Sequence, residues 1–500
     1  MLVASILLGF ISSLLYFSWW FREDRIFNPW LALCFAGALF YFATQVFCAW
    51  YIYLRMKVPC FGQLPAPRVD VFVPVYDEPY DLVERSLTAV VAIRHAHRTY
   101  LLDDSGNPRF AALAARLGVE YLARPGDSEA KAGNVNAALA ASNAEIVTVF
   151  DVDHIPEPDF FDFMLCHFQD PRVGFVQGAV GFRNTRESWI ARAAAEQASD
   201  AYGPASMGMY GSGAGPLWGS HCTFRRTALE SIGGHQSGLA EDLHTSLRLH
   251  AAGWHSVFVP AIKAAGLVPN DVVSATKQQF KWARGVFEIF LGVYPRVWRP
   301  LALSQNLAYL VRFTYYLVGP VILTHALLAA SVLLFGQPLA RAGFAEYLLY
   351  AMPLATAILL VRRVALSTWQ RGFVSWEASW RGYVYAFLLW PAHTLALISS
   401  LLRVRVPHIA TPKERSKQSH PWLVLPQILL VVLLLLAVAW RIAQGSTIFD
   451  ALPIVFALFV AGLQSFAIVR SYVSSPAPKG HATHDKQERC HVECPSVCRE

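Results

Sequence analysis

Charged residues are scarce in this sequence. Only 15% of the 500 residues are Asp, Glu, Lys or Arg, against roughly 25% in ordinary soluble domains. This shortage excludes a purely soluble enzyme, and the 55% hydrophobic content excludes a disordered chain. Apolar residues fill 1–20, 29–55 and much of 301–470, whereas 68–300 carries charges throughout. The composition predicts membrane segments attached to one soluble portion.

Cysteines are few, and basic residues do not form stripes. The eight cysteines make no disulfide framework. Three of them, with His491, lie near the end of the chain in a spacing that fits no standard zinc site, and 471–500 is predicted to be a disordered tail. The net charge is +7, but the Lys and Arg residues form no stripe interleaved with aromatic residues, so nucleic-acid binding is not expected. Basic loops on the cytosolic side of a membrane are the simpler interpretation.

Six apolar segments are long enough to cross a bilayer, which requires about 20 residues. The first segment lacks a basic n-region and a cleavage site, so it is interpreted as a retained span and not as a signal peptide. Two spans before residue 68 leave the soluble portion on the same side as the N-terminus. The predicted spans are Met1–Phe21, Pro29–Tyr53, Leu310–Phe335, Tyr347–Val361, Pro421–Trp440 and Asp450–Val469.

The segment Tyr383–Leu402 is ambiguous. If it crossed the membrane, the basic loop Arg403–Lys417 would face outward, against the positive-inside tendency. Trp376, Trp380 and Trp390 instead suit a helix that lies at the membrane surface. We therefore expect an interfacial helix here, followed by a cytosolic loop.

Short β-rich runs alternate with helical patterns after Arg68. This alternation predicts a mostly parallel sheet that binds ligands at the carboxyl ends of its strands. Acidic residues follow three predicted strands: Asp77 and Glu78 after Val69–Val75, Asp103 and Asp104 after Thr99–Leu102, and Asp151 and Asp153 after Glu145–Phe150. Carboxylates concentrated at one edge are hard to explain as solvated surface.

The spacing Asp151-Val-Asp153 allows two carboxylates to reach one Mg²⁺ or Mn²⁺, which would bridge phosphates. The same spacing also arises often by chance. His154 is either a third ligand or an ordinary hydrogen-bonded neighbour. Lys131 and Gly133 open a predicted helix, where an ammonium and backbone N–H groups suit a diphosphate. The alternative is a capped surface helix.

Two further motifs lie closer to the second membrane portion. Glu241 and Asp242 begin a predicted helix, where a carboxylate could act as general base or simply favour the helix N-terminus. Gln278, Lys281 and Trp282 lie on an amphipathic helix. There the indole could stack on a sugar, and Lys281 could hold a diphosphate. Alternatively, Trp and Lys anchor the helix at the membrane surface.

Taken in order, these motifs resemble the family-2 processive glycosyltransferases, among them the bacterial cellulose synthase catalytic subunits. The resemblance covers roughly 68–470. It rests on Val-Pro-Val-Tyr76-Asp-Glu-Pro, Asp103-Asp104-Ser-Gly, Lys131-Ala-Gly-Asn, Asp151-Val-Asp153-His154, Glu241-Asp242 and Gln278-x-x-Lys281-Trp282. The segment from His408 to Lys413 also resembles the family's gating loop.

The resemblance implies a role for each matching residue. Tyr76, Glu78, Asp103 and Asp104 would hold the uridine, and Lys131 with Gly133 the diphosphate. Asp151, Asp153 and His154 would hold Mg²⁺ or Mn²⁺. Asp242, beside Glu241, would be the base. Gln278, Lys281 and Trp282, with Trp218, would line the acceptor and diphosphate side, and Thr411 and Lys413 would close over the nucleotide.

The implied fold is a GT-A-like α/β domain with a mostly parallel mixed sheet, inserted between membrane helices. The implied organisation is two spans in 1–60, the cytosolic transferase domain with an interfacial helix in 68–300, two spans in 301–366, the interfacial helix and gating loop in 367–420, two spans in 421–470 and the tail in 471–500. The location would be the inner membrane.

The implied activity is inverting polymerisation of a UDP-sugar, with UDP-glucose as the expected donor, and export of a β-linked polysaccharide. The expected partners are the donor, the growing chain and membrane lipid, with accessory export subunits left open. Ala240, Lys281, His408 and Trp218 depart from the usual family residues, so the product need not be cellulose. The rivals are transfer of one sugar to a lipid or glycolipid and, more remotely, a transporter or receptor with a non-catalytic domain.

Overall fold

A computed structural model describes residues 1–26, 28–124, 129–338, 340–373, 380–406 and 421–472. Among these residues, eight strands form one sheet in the order β3-β2-β1-β4-β7-β6-β8-β5. The strands are β1 Val69–Val75, β2 Arg98–Asp103, β3 Glu120–Ala123, β4 Ile146–Val149, β5 Ile155–Pro156, β6 Val173–Phe182, β7 Cys222–Arg225 and β8 His255–Gly266.

Helices surround the sheet and form the apolar portions. Those up to the second membrane portion are α1 Leu2–Trp20, α2 Pro29–Leu54, α3 Tyr80–Val91, α4 Pro108–Leu117, α5 Ala130–Ala141, α6 Phe160–Met164, α7 Trp189–Asp200, α8 Ser206–Gly211, α9 Arg226–Ser231, α10 Glu241–Ala251, α11 Val272–Glu288 and α12 Tyr294–Val297. The rest are α13 Leu303–Thr314, α14 Val318–Phe335, α15 Phe344–Phe373, α16 Arg381–Leu388, α17 Trp390–Leu401, α18 Leu425–Ala443 and α19 Ala451–Tyr472.

The sheet is mixed, and it is buried on both faces. β1 pairs in parallel with β2 and β4, and β2 with β3, whereas β7 runs antiparallel to both β4 and β6. Along β1, Val71 and Val73 pack towards α3 and α4, and Phe72 packs towards α5 on the other face. This alternation follows from the two-residue period of a strand. The loops after β1, β2 and β4 therefore emerge at one edge.

Six helical segments in the described ranges are long and apolar enough to cross a membrane, which is the number predicted. They are Leu2–Trp20, Pro29–Leu54, Leu303–Phe335, Phe344–Gln370, Trp422–Ala443 and Ile448–Tyr472. The bent pair α16 and α17 would be a seventh segment if it counted as one broken span.

The predicted single helix at Tyr383–Leu402 is in fact two helices, α16 and α17, which meet at 44°. The break is stabilised from other parts of the chain. The side-chain amide of Gln464 donates to the Phe387 carbonyl, and that of Gln427 donates to the Leu388 carbonyl, both at 2.8 Å. Because the two amides lie on distant helices, local periodicity could not reveal the break.

The fourth apolar helix is also longer than predicted. The sequence places its end at Val361, but α15 continues to Phe373. Its last turns pack against the soluble domain, where Trp369 is fully buried and its indole N–H donates to the Pro260 carbonyl at 3.0 Å. A Cβ at Gly203 would lie 2.3 Å from the Trp369 ring, so the close approach requires glycine there.

Candidate active site

One cavity of about 1240 Å³ contains most of the residues predicted from the sequence. They reach it from four directions: the carboxyl edge of the sheet, α5, α10 and α11. The predicted residues that line it are Tyr76, Glu78, Asp104, Lys131, Asp151, Asp153, His154, Trp218, Glu241, Asp242, Gln278, Lys281 and Trp282. Thr411, Lys413 and the rest of the predicted gating loop lie outside the described residues.

Asp103 and Gly133 do not line this cavity. Asp103 is fully buried. One of its carboxylate oxygens accepts from the Ser105 N–H at 2.7 Å and hydroxyl at 2.6 Å, and the other from the Asn107 N–H and the Tyr121 hydroxyl, both at 2.8 Å. Its acceptor capacity is thus used in shaping the loop after β2. Gly133 is buried within α5.

Asp104, the neighbour of Asp103, does line the cavity. Its carboxylate forms a two-pronged ion pair with the Arg124 guanidinium at 3.1 and 3.2 Å. On the loop after β1, Glu78 accepts a hydrogen bond from the backbone N–H of Tyr76 at 2.7 Å. Tyr76 is 56% exposed, so its ring can stack on a flat ligand at the mouth of the cavity.

A compact metal-ligand cluster is formed by Asp151, Asp153 and His154. Their candidate ligand atoms all lie within 4.8 Å of one another. His154 Nδ1 is buried, 3.7 Å from an Asp153 oxygen, and has no hydrogen-bond partner among the described residues. A Cβ at Gly266 would lie 2.4 Å from the His154 ring, so glycine leaves room for the imidazole. Two carboxylates and an available imidazole nitrogen suit a divalent cation such as Mn²⁺.

Lys131 connects this cluster to α10. Its ammonium lies 2.5 Å from Asp151 Oδ1 and 3.7 Å from Glu241 Oε1, and it donates to the Gly219 carbonyl. Burial lowers the pKa of Lys131, but Asp151 and Glu241 raise it by more, so its pKa lies above the ordinary value. The side chain therefore carries a fixed positive charge at the start of α5, where backbone N–H groups also favour anions.

Asp242 lies at the start of α10, deep in the cavity. Burial raises its pKa to about 6, although the nearby Arg312 guanidinium opposes the rise. The closest approach of the two side chains is 3.5 Å, between Arg312 Nη2 and Asp242 Oδ2. A carboxylate with a pKa near neutrality can accept a proton during catalysis at physiological pH.

Trp218 is fixed on several sides. Its indole N–H donates to the Ser206 hydroxyl at 3.1 Å, and its ring meets the edge of Tyr202 at 4.7 Å. The Arg312 guanidinium lies 4.4 Å from the ring centroid. Its backbone N–H donates to the Gln177 side chain at 2.9 Å. The indole is therefore a rigid wall of the cavity beside Asp242.

The residues that sequence reasoning missed include Arg312 and Tyr202. Arg312 lies near the beginning of a predicted span, and a lone charge in an apolar segment is a signal for a functional position. Tyr202 lies in a short π-helical turn, Ala201–Ala205, between α7 and α8, and offered no comparable signal.

The far end of the cavity lies between the apolar helices. Its walls there carry aromatic and amide side chains from α2 and from the turn after α13, together with Arg362 from α15. These residues include Tyr41, Phe42, Gln45, Tyr53, Tyr315 and Tyr316. The same cavity thus joins the carboxylate cluster to the predicted membrane portion.

Comparison with known proteins identifies the family. The chain matches the glycosyl transferase family group 2 over residues 146–461, which is more than half of its length. The chain belongs to this family. The resemblance inferred from the ordered motifs is thereby confirmed, and the chain is a glycosyltransferase.

The relatives of this glycosyltransferase include bacterial cellulose synthases. Cellulose synthase 1 of Komagataeibacter xylinus is 28% identical over 428 residues, which cover 80% of this chain and 26% of that protein. The UDP-forming catalytic subunit of Pseudomonas fluorescens (strain SBW25) is 28% identical over 375 residues, covering 70% of this chain and 50% of the relative. That of Xanthomonas axonopodis pv. citri is 32% identical over 262 residues, covering 51% and 36%. The glycosyltransferase spans about half or less of these relatives.

A solved structure confirms the predicted fold. Mannosyltransferase PcManGT from Pyrobaculum calidifontis, in complex with GDP-Man and Mn²⁺, matches this glycosyltransferase with a TM-score of 0.54 and 17% sequence identity. The match covers 75% of this chain and 100% of that one. The fold is therefore the GT-A-like mixed sheet with apolar helices on both sides of it in the sequence.

The hydrogen bonds of Asp103 lead to a stability prediction. In the Asp103→Asn variant a single side-chain oxygen must accept from donors that bond to two carboxylate oxygens in the wild type. We therefore expect the folded state to be destabilised by about 1–3 kcal/mol. Asp81→Asn, an exposed change in the first turn of α3, is the matched control and should alter stability little. Thermal unfolding of the detergent-solubilised proteins measures both. Equal melting temperatures for the two variants would contradict the bracing role of Asp103.

Proposed function

We propose that this glycosyltransferase polymerises a UDP-sugar, with UDP-glucose as the first candidate, into a β-linked polysaccharide that leaves through its own membrane helices. The observation that carries the proposal is the single cavity, which extends from the carboxylates at the sheet edge to aromatic side chains between the apolar helices. Aromatic faces and amides suit a sugar chain, because sugars present both apolar C–H faces and hydroxyls.

The size of the cavity supports an acceptor longer than one sugar. Small-molecule sites usually enclose about 300–1,000 Å³, and this cavity measures about 1240 Å³. A nucleotide sugar at the sheet edge would leave space towards Trp282 and Tyr316. Bacterial cellulose synthases among the relatives are named for a polymeric product, which agrees with this interpretation.

The donor would lie along the carboxyl edge of the sheet. Tyr76, Glu78 and Asp104 would surround the uridine, and Lys131 would face the diphosphate. Asp151, Asp153 and His154 would hold Mg²⁺ or Mn²⁺, as their close spacing and the available His154 nitrogen allow. When bound, such a cation stabilises negative charge on the departing diphosphate.

The residues of the chain support sugar transfer by a single displacement at C1 of the donor sugar. Asp242 accepts the proton of an acceptor hydroxyl, whose oxygen forms a bond to C1 of the donor sugar as the bond from C1 to the diphosphate breaks. The electron pair of that bond leaves with UDP, whose charge the fixed Lys131 ammonium stabilises. Attack opposite the leaving group inverts C1, so an α-linked donor yields a β-linkage. Gln278, Lys281 and Trp282 would orient the acceptor end.

We also propose a location in the inner membrane, with the catalytic domain cytosolic and α16–α17 at the membrane surface. Val384 and Tyr385 of α16 pack with α7, and Ala396 of α17 packs with Phe287 of α11. Both partners are helices of the transferase domain, so the pair is held against that domain. An interfacial position also keeps the basic residues after α17 on the cytosolic side.

Product length distinguishes polymerisation from the rival activity. The purified protein is given radiolabelled UDP-glucose, UDP-galactose, UDP-N-acetylglucosamine or UDP-glucuronic acid with Mg²⁺ or Mn²⁺. We expect long products from one donor and, after linkage analysis, β-linkages. Products that end after one added sugar, and that partition with lipid, would instead establish single transfer to a lipid acceptor.

The base assignment predicts a pH dependence. Because Asp242 must be ionised to accept a proton, transfer should fall as the pH drops through about 6, the raised pKa of this group. Asp242→Asn should reduce transfer by at least about 100-fold while UDP still binds. Asp162→Asn, outside the cavity, is the matched control. Substantial transfer by the Asp242→Asn variant would remove the assignment.

The metal-ligand cluster of Asp151, Asp153 and His154 predicts that transfer requires a metal ion. Chelation with EDTA should abolish transfer, and Mn²⁺ or Mg²⁺ should restore it. Asp153→Asn removes one charged ligand, so it should raise the Mn²⁺ concentration needed for half-maximal activity by roughly 10-fold or more. Asp162→Asn again serves as the control. Full activity in EDTA would show that the cluster holds no required cation.

A further inference from the structure

Arg312 links the membrane helices to the proposed base. It lies on α13, in the segment Leu303–Phe335 that is long and apolar enough to span a membrane, yet its side chain reaches the catalytic cavity. Its Nη2 atom lies 3.5 Å from Asp242 Oδ2 and donates to the Leu217 carbonyl at 3.2 Å. The Arg312 side chain is only 12% exposed and that of Asp242 17%. The pair is therefore weakly screened by water.

The same guanidinium fixes the wall beside the base. It lies 4.4 Å from the centroid of Trp218, and Tyr202 and the Ser206 hydroxyl contact other parts of that indole. A planar guanidinium can stack on a ring and face a carboxylate together, which a lysine ammonium cannot do. Arg312 thus connects Asp242 and Trp218 into one unit.

Tyr309, three residues before Arg312, secures α13 to the helix that carries the base. Its hydroxyl lies 2.6 Å from His250 Nδ1, and His250 Nε2 lies 2.8 Å from the Ser256 hydroxyl. Tyr309 and Leu247 belong to one buried cluster. Residues three apart on a helix share a face, so α13 presents both Tyr309 and Arg312 to α10.

Other ionisable groups also face Asp242. Glu241 raises its pKa, whereas Lys131 and Arg312 lower it, and the Arg312 effect is the largest of the three. Among the described residues, Tyr202 and Cys222 also interact with the Asp242 charge, and burial raises the pKa of both, so they are neutral at ordinary pH. The Tyr316 side chain interacts with it as well. Arg312 is therefore the main charge that keeps this buried carboxyl ionised.

We propose that Arg312 is a positioning residue for the transfer reaction, which holds Asp242 ionised and oriented and fixes Trp218 as the wall of the acceptor site. The assignment of Asp242 as base rests on the proposed function. The ion pair itself is a property of the fold, because its two members come from α10 and α13. Movement of the span that contains α13 would therefore alter the base directly.

Three variants separate the charge of Arg312 from its packing. Arg312→Gln removes the charge, so the acid limb of the pH profile of kcat/KM should move up by about 1 pH unit or more, with UDP binding retained. Arg312→Lys keeps the charge but loses the stacking on Trp218, so the limb should stay near that of the wild type while kcat falls. Tyr309→Phe loosens the same helix contact without changing charge, so the limb should not move.

A second measurement does not depend on turnover. Carbodiimide modifies protonated carboxyl groups, and mass spectrometry of the full-length protein can follow modification of Asp242 as a function of pH. The midpoint should move up by about 1 unit or more in Arg312→Gln and should stay unchanged in Tyr309→Phe.

The outcomes are distinct. An Arg312→Gln variant with the wild-type acid limb and the wild-type labelling midpoint would overturn the role of Arg312. A limb that moves equally in Tyr309→Phe would mean that packing, and not charge, is responsible, and would overturn it as well. If the wild type transfers no sugar, the proposed function fails, and the labelling midpoints still decide whether Arg312 keeps Asp242 ionised.

Discussion

Repulsion among buried carboxylates is the constraint on which the rest of the site depends. Several acidic groups meet in one cavity, and three of them pair with cations from different elements. Asp104 pairs with Arg124, Asp151 with Lys131, and Asp242 with Arg312. Because buried charges are costly without partners, these contacts favour the observed arrangement of the loops, α5, α10 and α13. They also leave the Asp153 and His154 side of the cluster suited to a further cation.

This charge balance couples the soluble domain to the apolar helices. Arg124 and Lys131, which pair with Asp104 and Asp151, belong to the transferase domain. Asp242 instead pairs with a guanidinium from α13, in the second apolar portion. The buried contact between Tyr309 and His250 reinforces the same junction. Farther along the chain, α15 packs Trp369 against the domain, and α16 and α17 pack against α7 and α11. If Asp242 is the base, as we propose, it would respond to the arrangement of the spans through which we propose that the product leaves.

Much of the fold was predictable, because its signals are local. The alternation of strands and helices, the acids after β1, β2 and β4, and the long apolar runs all lie within short stretches of sequence. The ordered motifs then identified the family. The position of Asp103 was not predictable in the same way, and the lone charge of Arg312 in an apolar segment did not reveal its partner Asp242. Adjacent aspartates after β2 look alike in sequence, and only the donors from Ser105, Asn107 and Tyr121 show that one braces the loop. The break between α16 and α17 likewise depends on amides from distant helices.

The proposed path of the polymer is tested most directly by an electron cryo-microscopy structure of the full-length protein, determined during turnover with its UDP-sugar and Mn²⁺. If the polymer leaves between the apolar helices, continuous sugar density will begin beside Asp242, pass Trp282 and continue between those helices. A cavity that stays empty between those helices, while a lipid-linked sugar collects at the membrane surface, would contradict it.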